Sequence, residues 1–96
     1  MDTTEVVAAL QEHNHLKAKM NLSLICKVEE IKRTKSVVGV MEYFVKEHSV
    51  EETCAIIDLL NDDDKMTIKG AISIESRLEN DFAQKVLNRL KELKIY

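Results

Sequence analysis

Proline is absent from this 96-residue chain, and glycine occurs only at Gly39 and Gly70. Collagen-like, proline-rich and low-complexity classes are thereby excluded, and a hydrophobic content of 45% can offset the entropy of ordering the chain. A β-sandwich is disfavoured as well, because its tight turns draw on glycine and proline. Two glycines cannot build a phosphate-cradling loop or a dinucleotide fingerprint, and the sequence holds no G-x-S-x-G elbow. Every apolar run is broken by charge well before the roughly 18–20 residues that a bilayer span requires. The two cysteines, Cys26 and Cys54, stand apart in apolar, helix-like contexts and form no CxxC pair. They read as two core thiols of a reducing compartment. Met1-Asp2-Thr3-Thr4-Glu5 has neither the basic region nor the apolar core of a signal peptide. The expectation is a soluble intracellular protein with one all-α domain, a compact bundle of five or six short helices.

Charge is abundant but unevenly placed. Seventeen acidic and fourteen basic residues give a net charge of -3, which excludes a strongly basic nucleic-acid coat. Residues 51–64 carry Glu51, Glu52, Asp58, Asp62, Asp63 and Asp64 without a single base, whereas residues 65–96 hold seven bases against four acids. Solvated helix surface explains most such alternation, yet it leaves a locally basic final third.

With no proline to punctuate the helices, their limits must come from caps and apolar spacing. Asp2 and Glu5 can form a capping box ahead of a stripe of Val6, Ala9, Leu10, His13, Leu16 and Met20. A second helix is predicted after Asn21, using Leu24, Ile25, Val28 and Ile31. Lys32-Arg33-Thr34-Lys35 reads as a connection, with Thr34 capping a third helix whose inward stripe is Val37, Val40, Met41, Phe44, Val45 and His48. Ser49-Val50-Glu51-Glu52 is the strongest local signal, a capping box at the head of an almost wholly apolar helix, Cys54-Ala55-Ile56-Ile57, which should be the most buried of the fold. Asn61-Asp62-Asp63-Asp64 should end it as a loop, Thr67 should cap the next helix, and Asn80 the last. Phe82, Ala83, Val86, Leu87, Leu90 and Leu93 then face inward, leaving Asp81, Gln84, Lys85, Asn88, Arg89 and Glu92 outward. The two halves overlay at an offset of forty-six residues, but such matches arise between any two amphipathic helices.

Chemistry-bearing constellations are few. The Asp62–Asp64 trio does not make a calcium loop, which would need ligands at alternate positions with a glycine at its sixth and a glutamate at its twelfth, where this sequence has Thr67 and Ser73. His13 and His15 point to different helix faces, so zinc could be held by His13, His15, His48, Cys26 and Cys54 only through the tertiary fold. No nucleophile–base pair stands out, and the chain reads as non-enzymatic, with no cofactor and no small-molecule substrate.

One pattern carries functional content. From Met66-Thr67-Ile68 through Ala83-Gln84-Lys85-Val86-Leu87-Asn88-Arg89-Leu90-Lys91 to Ile95, the order of helix, turn and amphipathic helix resembles the winged-helix branch of helix-turn-helix regulators. The resemblance implies a trihelical half over residues 49–96 and a recognition role for the last helix. Gln84, Lys85, Asn88 and Arg89 would then reach base edges, and Lys69, Arg77 and Lys91 flanking phosphates. Residues 1–48 supply the other half, whose Val38, Met41, Tyr43, Phe44 and Val45 exceed what so small a core can absorb and suggest an association surface. Two function classes follow. The first is a small regulator or adaptor that works through protein–protein contact and can self-associate, for instance as a homodimer. The second is a helix-turn-helix DNA-binding regulator.

Overall fold

In the computed structural model, which describes residues 3–95, polar side chains take over the punctuation that proline and glycine would supply. The described residues form α1 (Thr3–Lys19), α2 (Leu22–Glu47), α3 (Val50–Leu59), α4 (Asp62–Arg77) and α5 (Asp81–Glu92). Asn21 caps α2 by accepting from the Leu24 N–H at 3.0 Å. Ser49 and Glu52 close a reciprocal box, Ser49 Oγ accepting from the Glu52 N–H at 3.1 Å and Glu52 Oε1 from the Ser49 N–H at 3.0 Å. Asn80 accepts from the Ala83 N–H at 3.1 Å and starts α5. All three agree with the sequence expectation. The proposed partnership of Asp2 with Glu5 lies outside the described residues.

Two boundaries differ. Asp62–Asp64 is the first turn of α4, not a loop, because Asn61 accepts from the Asp64 N–H at 2.8 Å and the three acids suit the positive helix end. Thr67 therefore lies inside α4, its hydroxyl donating to the Asp63 carbonyl at 2.9 Å. Thr34 likewise donates to the Glu30 carbonyl at 2.9 Å and continues the helix instead of capping one. The break in α2 falls at Ser36, with φ 65° and ψ -176°. That conformation suits glycine almost alone and costs about 1–3 kcal/mol in another residue.

Glycine's scarcity is visible here. Among the described residues the positive φ values belong to Ser36, Glu79 and Lys94, and neither glycine takes one. Glu79 and Lys94 close helix ends: the Asn80 N–H returns to the Glu75 carbonyl at 3.3 Å and the Ile95 N–H to Leu90 at 2.9 Å. Gly39 serves close approach instead. A Cβ there would stand 2.6 Å from Lys35 Cβ, so the elbow at Ser36 closes only because that position has no side chain.

The elbow lets both segments of α2 reach one core. Val28 comes from residues 22–35, and Val40, Met41 and Phe44 from residues 37–47, to meet Ile56 and Ile57 of α3, Ile68 and Ile72 of α4, and Val86 and Leu90 of α5. Thr53 through Ile57 are all buried, which makes α3 the central helix, as its composition predicts. It lies between α1 and α5, and α5 packs most extensively on α4. No helix is long and apolar enough to cross a membrane among the described residues.

Ser36→Gly should raise the free energy of unfolding by about 1 kcal/mol, because relief of backbone strain outweighs the added freedom of the unfolded chain. Ser36→Val should lower it by a similar amount. Urea denaturation with unchanged slope checks both, and a Gly variant less stable than the parent would show that the elbow is unstrained.

Candidate functional site

The outward face of α5 is where the sequence pattern leads one to expect base-reading side chains. Gln84, Lys85 and Asn88 are exposed there, but two are already engaged: Gln84 Nε2 donates to the Ser76 carbonyl at 3.1 Å, and Lys85 Nζ lies 3.1 Å from Asp81. Arg89 does not face outward. It is 17% exposed, turned toward α1 with Glu12 at 3.6 Å, and its Nε and Nη2 are buried without a hydrogen-bond acceptor. The register explains this: Arg89 precedes the buried Leu90 and sits at the margin of the core-facing stripe. Lys69 donates to the Ile95 carbonyl at 2.8 Å, while Arg77 and Lys91 are exposed at the ends of α4 and α5. The seven residues are thus distributed over two helices, with Gln84, Lys85 and Asn88 the nearest to a common outward face.

The proposed association surface divides in the same way. Phe44 and Met41 are buried core residues, not surface, because they lie on the α2 stripe that meets α3 and α4. Tyr43 is half-buried, its hydroxyl 3.0 Å from His48 Nε2. Val38 and Val45 remain outside at 64% and 51% exposure. Cys54 is a core thiol whose ionisation burial pushes up to about 12, whereas Cys26 is exposed and corrects the expectation of two core thiols.

Sequence reasoning overlooked a polar cluster between α1, α3 and α4. Asp58 ends the buried run of α3, and its carboxylate receives His13 Nε2 at 2.9 Å and Lys17 Nζ at 2.8 Å from α1, with Lys65 Nζ of α4 at 3.5 Å. Burial alone would raise the Asp58 carboxyl. Hydrogen bonds from Lys17 and His13, then the charges of Lys17 and Lys65, outweigh burial and hold it at about 2. An ionised carboxylate only accepts, so the proton on Nε2 of His13 points at Asp58. The other ring nitrogen, Nδ1, is buried without a partner. No solvent-facing atom of this histidine is left to act as a base, and the cluster docks helices. Its one sequence signal was an acid set into the run Cys54-Ala55-Ile56-Ile57-Asp58-Leu59-Leu60. Among the described residues, no group of three or more His, Cys, Asp or Glu side chains is placed to hold a metal ion.

Asp58→Asn should cost about 2 kcal/mol at neutral pH, the free energy that corresponds to lowering the carboxyl from its ordinary value. Because the folded-state value is depressed, this stability is complete above the unfolded value and is lost as pH falls through the folded one. The difference between parent and variant should therefore shrink between about pH 4 and about pH 2. Urea titrations across that range measure it, and a constant difference would dissociate the ion cluster from acid stability. In comparisons with known proteins, no family model matches this chain, and neither a curated protein nor a solved structure does.

Proposed function

We propose that this chain is a small non-enzymatic regulator or adaptor that works through protein–protein contact, and that a second copy of itself is one such partner. The observation that carries this reading is the pair Val38 and Val45. Both are exposed along one side of α2 and border a groove of about 240 Å³ over Met41. Exposed β-branched residues two turns apart gain nothing from water, and grouping them beside a groove is how apolar interface anchors are presented. The rim supplies both signs of charge, Glu42 and Glu75 beside Lys46. A patch that contains its own counter-charges is self-complementary under a two-fold axis, since Lys46 of one copy can face an acid of the other.

DNA binding by residues 66–95 is the second reading, favoured by the exposed Gln84, Lys85 and Asn88. It has the weaker support. Lys85 and Gln84 already have intramolecular partners, Arg89 is turned to Glu12, and Asp81 and Glu92 share the face. Phosphates approaching it meet acids as well as bases.

Sedimentation equilibrium over a wide concentration range tests the first reading, with the dimer mass expected at the upper end. Replacing Val38 and Val45 together by Asp should weaken association about tenfold or more while leaving the helical circular dichroism unchanged. A protein that stays monomeric throughout would overturn self-association.

A further inference from the structure

The adjoining flank of the α2 elbow holds a cleft of about 300 Å³. Lys27 and Lys35 enter it from the first segment and Lys46 from the second, with Ile31, Tyr43 and Glu42 completing the walls. Four other lysines are used internally: Lys17 and Lys65 meet Asp58, Lys32 meets Asp64, and Lys85 meets Asp81. Lys27, Lys35 and Lys46 form no ion pair with a described residue, although Lys27 lies over the Tyr43 ring at 5.3 Å from its centroid.

Closing the elbow brings these three lysines to the lining of one cavity, where like charge opposes their approach to one another. Backbone strain at Ser36 opposes it too. Burial of Val28, Val40 and Phe44 holds the elbow shut against both. The shape survives because Gly39 leaves room for Lys35, and the lining holds one carboxylate, Glu42, among three lysines, with Glu47 near enough to act on the Tyr43 hydroxyl.

We infer that the cleft inside the α2 elbow binds a small oligophosphate-bearing molecule. A single phosphate group cannot neutralise three ammonium groups on two helix segments, whereas a short chain of linked phosphates presents several anionic oxygens along its length. Lysines act here as flexible point charges, without demanding the planar fork geometry that arginine imposes. Tyr43 and Ile31 add an apolar wall against which a ring attached to the phosphates can lie, once Lys27 moves from the tyrosine face to the ligand. A nucleoside triphosphate and inorganic tripolyphosphate share the chemistry that is recognised, and differ in whether that wall is used.

The test is a titration of the full chain with tripolyphosphate and, separately, with ATP in the absence of divalent metal, followed by amide chemical shifts and calorimetry. One-to-one binding is expected, with shifts concentrated in residues 27–46 and affinity falling steeply between about 50 and about 200 mM salt. Lys35→Gln and Lys46→Gln should each weaken binding about tenfold, and Lys85→Gln on α5 should leave it unchanged. Both cleft substitutions are at exposed positions, and retained circular dichroism verifies the fold. Tighter binding of ATP would place its ring on Tyr43, and equal affinity would assign recognition to the phosphates alone; either supports the site. Absence of shifts in residues 27–46 at millimolar tripolyphosphate, or equal losses from Lys85→Gln and Lys35→Gln, would overturn it.

Discussion

Five successive residues of α3, Thr53 to Ile57, are shut away from water, and a helix cannot hide every face without neighbours on all sides. Most of the architecture follows from that demand. α5 covers one side with Val86 and Leu90, α4 supplies Ile68 and Ile72, and α2 must bend at Ser36 so that Val28 and Phe44 can both reach the same core. The remaining side belongs to α1, whose sole buried residue among those described is His13. This helix is therefore held by a different kind of contact. Asp58 takes His13 and Lys17, Arg89 faces Glu12, and Ala9 provides apolar packing at the margin. A cluster of this kind fixes the register of α1, since a shift of one turn would take His13 and Lys17 away from Asp58.

The helices themselves were legible wherever a side-chain cap coincided with the start of an apolar stripe. Asn21, Ser49 and Asn80 each occupy such a position, and each accepts the expected backbone N–H. Thr34 and Thr67 misled for one shared reason. Threonine can cap a helix or bond back to the carbonyl four residues earlier, and both do the latter. The acidic trio misled by composition: three aspartates in a row suggest a loop, but placed just after a capping asparagine they are the first turn of α4, in the field of its positive end. No local rule points to Ser36, whose conformation is imposed by the need of both α2 segments to reach the core. Tertiary demand overrode local preference there.

Site residues were harder to read than helices, because helical spacing gives a direction but not what another helix puts there. Phe44 and Met41 were correctly placed on one stripe of α2, yet whether that stripe meets a core or a partner depends on α3 and α4. Arg89 shows the same ambiguity on α5, where the approach of α1 turns an apparently outward residue into a half-buried one. Cys26 and Cys54 occupy similar local sequences and end up on opposite sides of the solvent boundary. The acidic segment behaves likewise. Asp58 and Asp64 look like surface charge in sequence, but both receive lysines from other helices, and the charge imbalance of residues 51–64 is partly cancelled by α1 and α2.

The second segment of α2 carries three demands on about two and a half turns of helix. At 3.6 residues per turn, Val40 and Phe44 take the inward direction, Val38 and Val45 one flank, and Gly39, Tyr43 and Lys46 the other. No residue can be moved from one face to another without rotating the whole segment, and the buried Val40 and Phe44 forbid that rotation. Glu42 and Lys46 lie where the flanks meet and border both the apolar groove and the basic cleft. The core thus fixes the two surfaces together: whatever tightens the packing of Phe44 against α3 and α4 also sets the elbow angle, and with it the separation of Lys27 and Lys35 from Lys46. A strained serine at that elbow is the expected consequence of burying the two segments of one helix in a single core of this size.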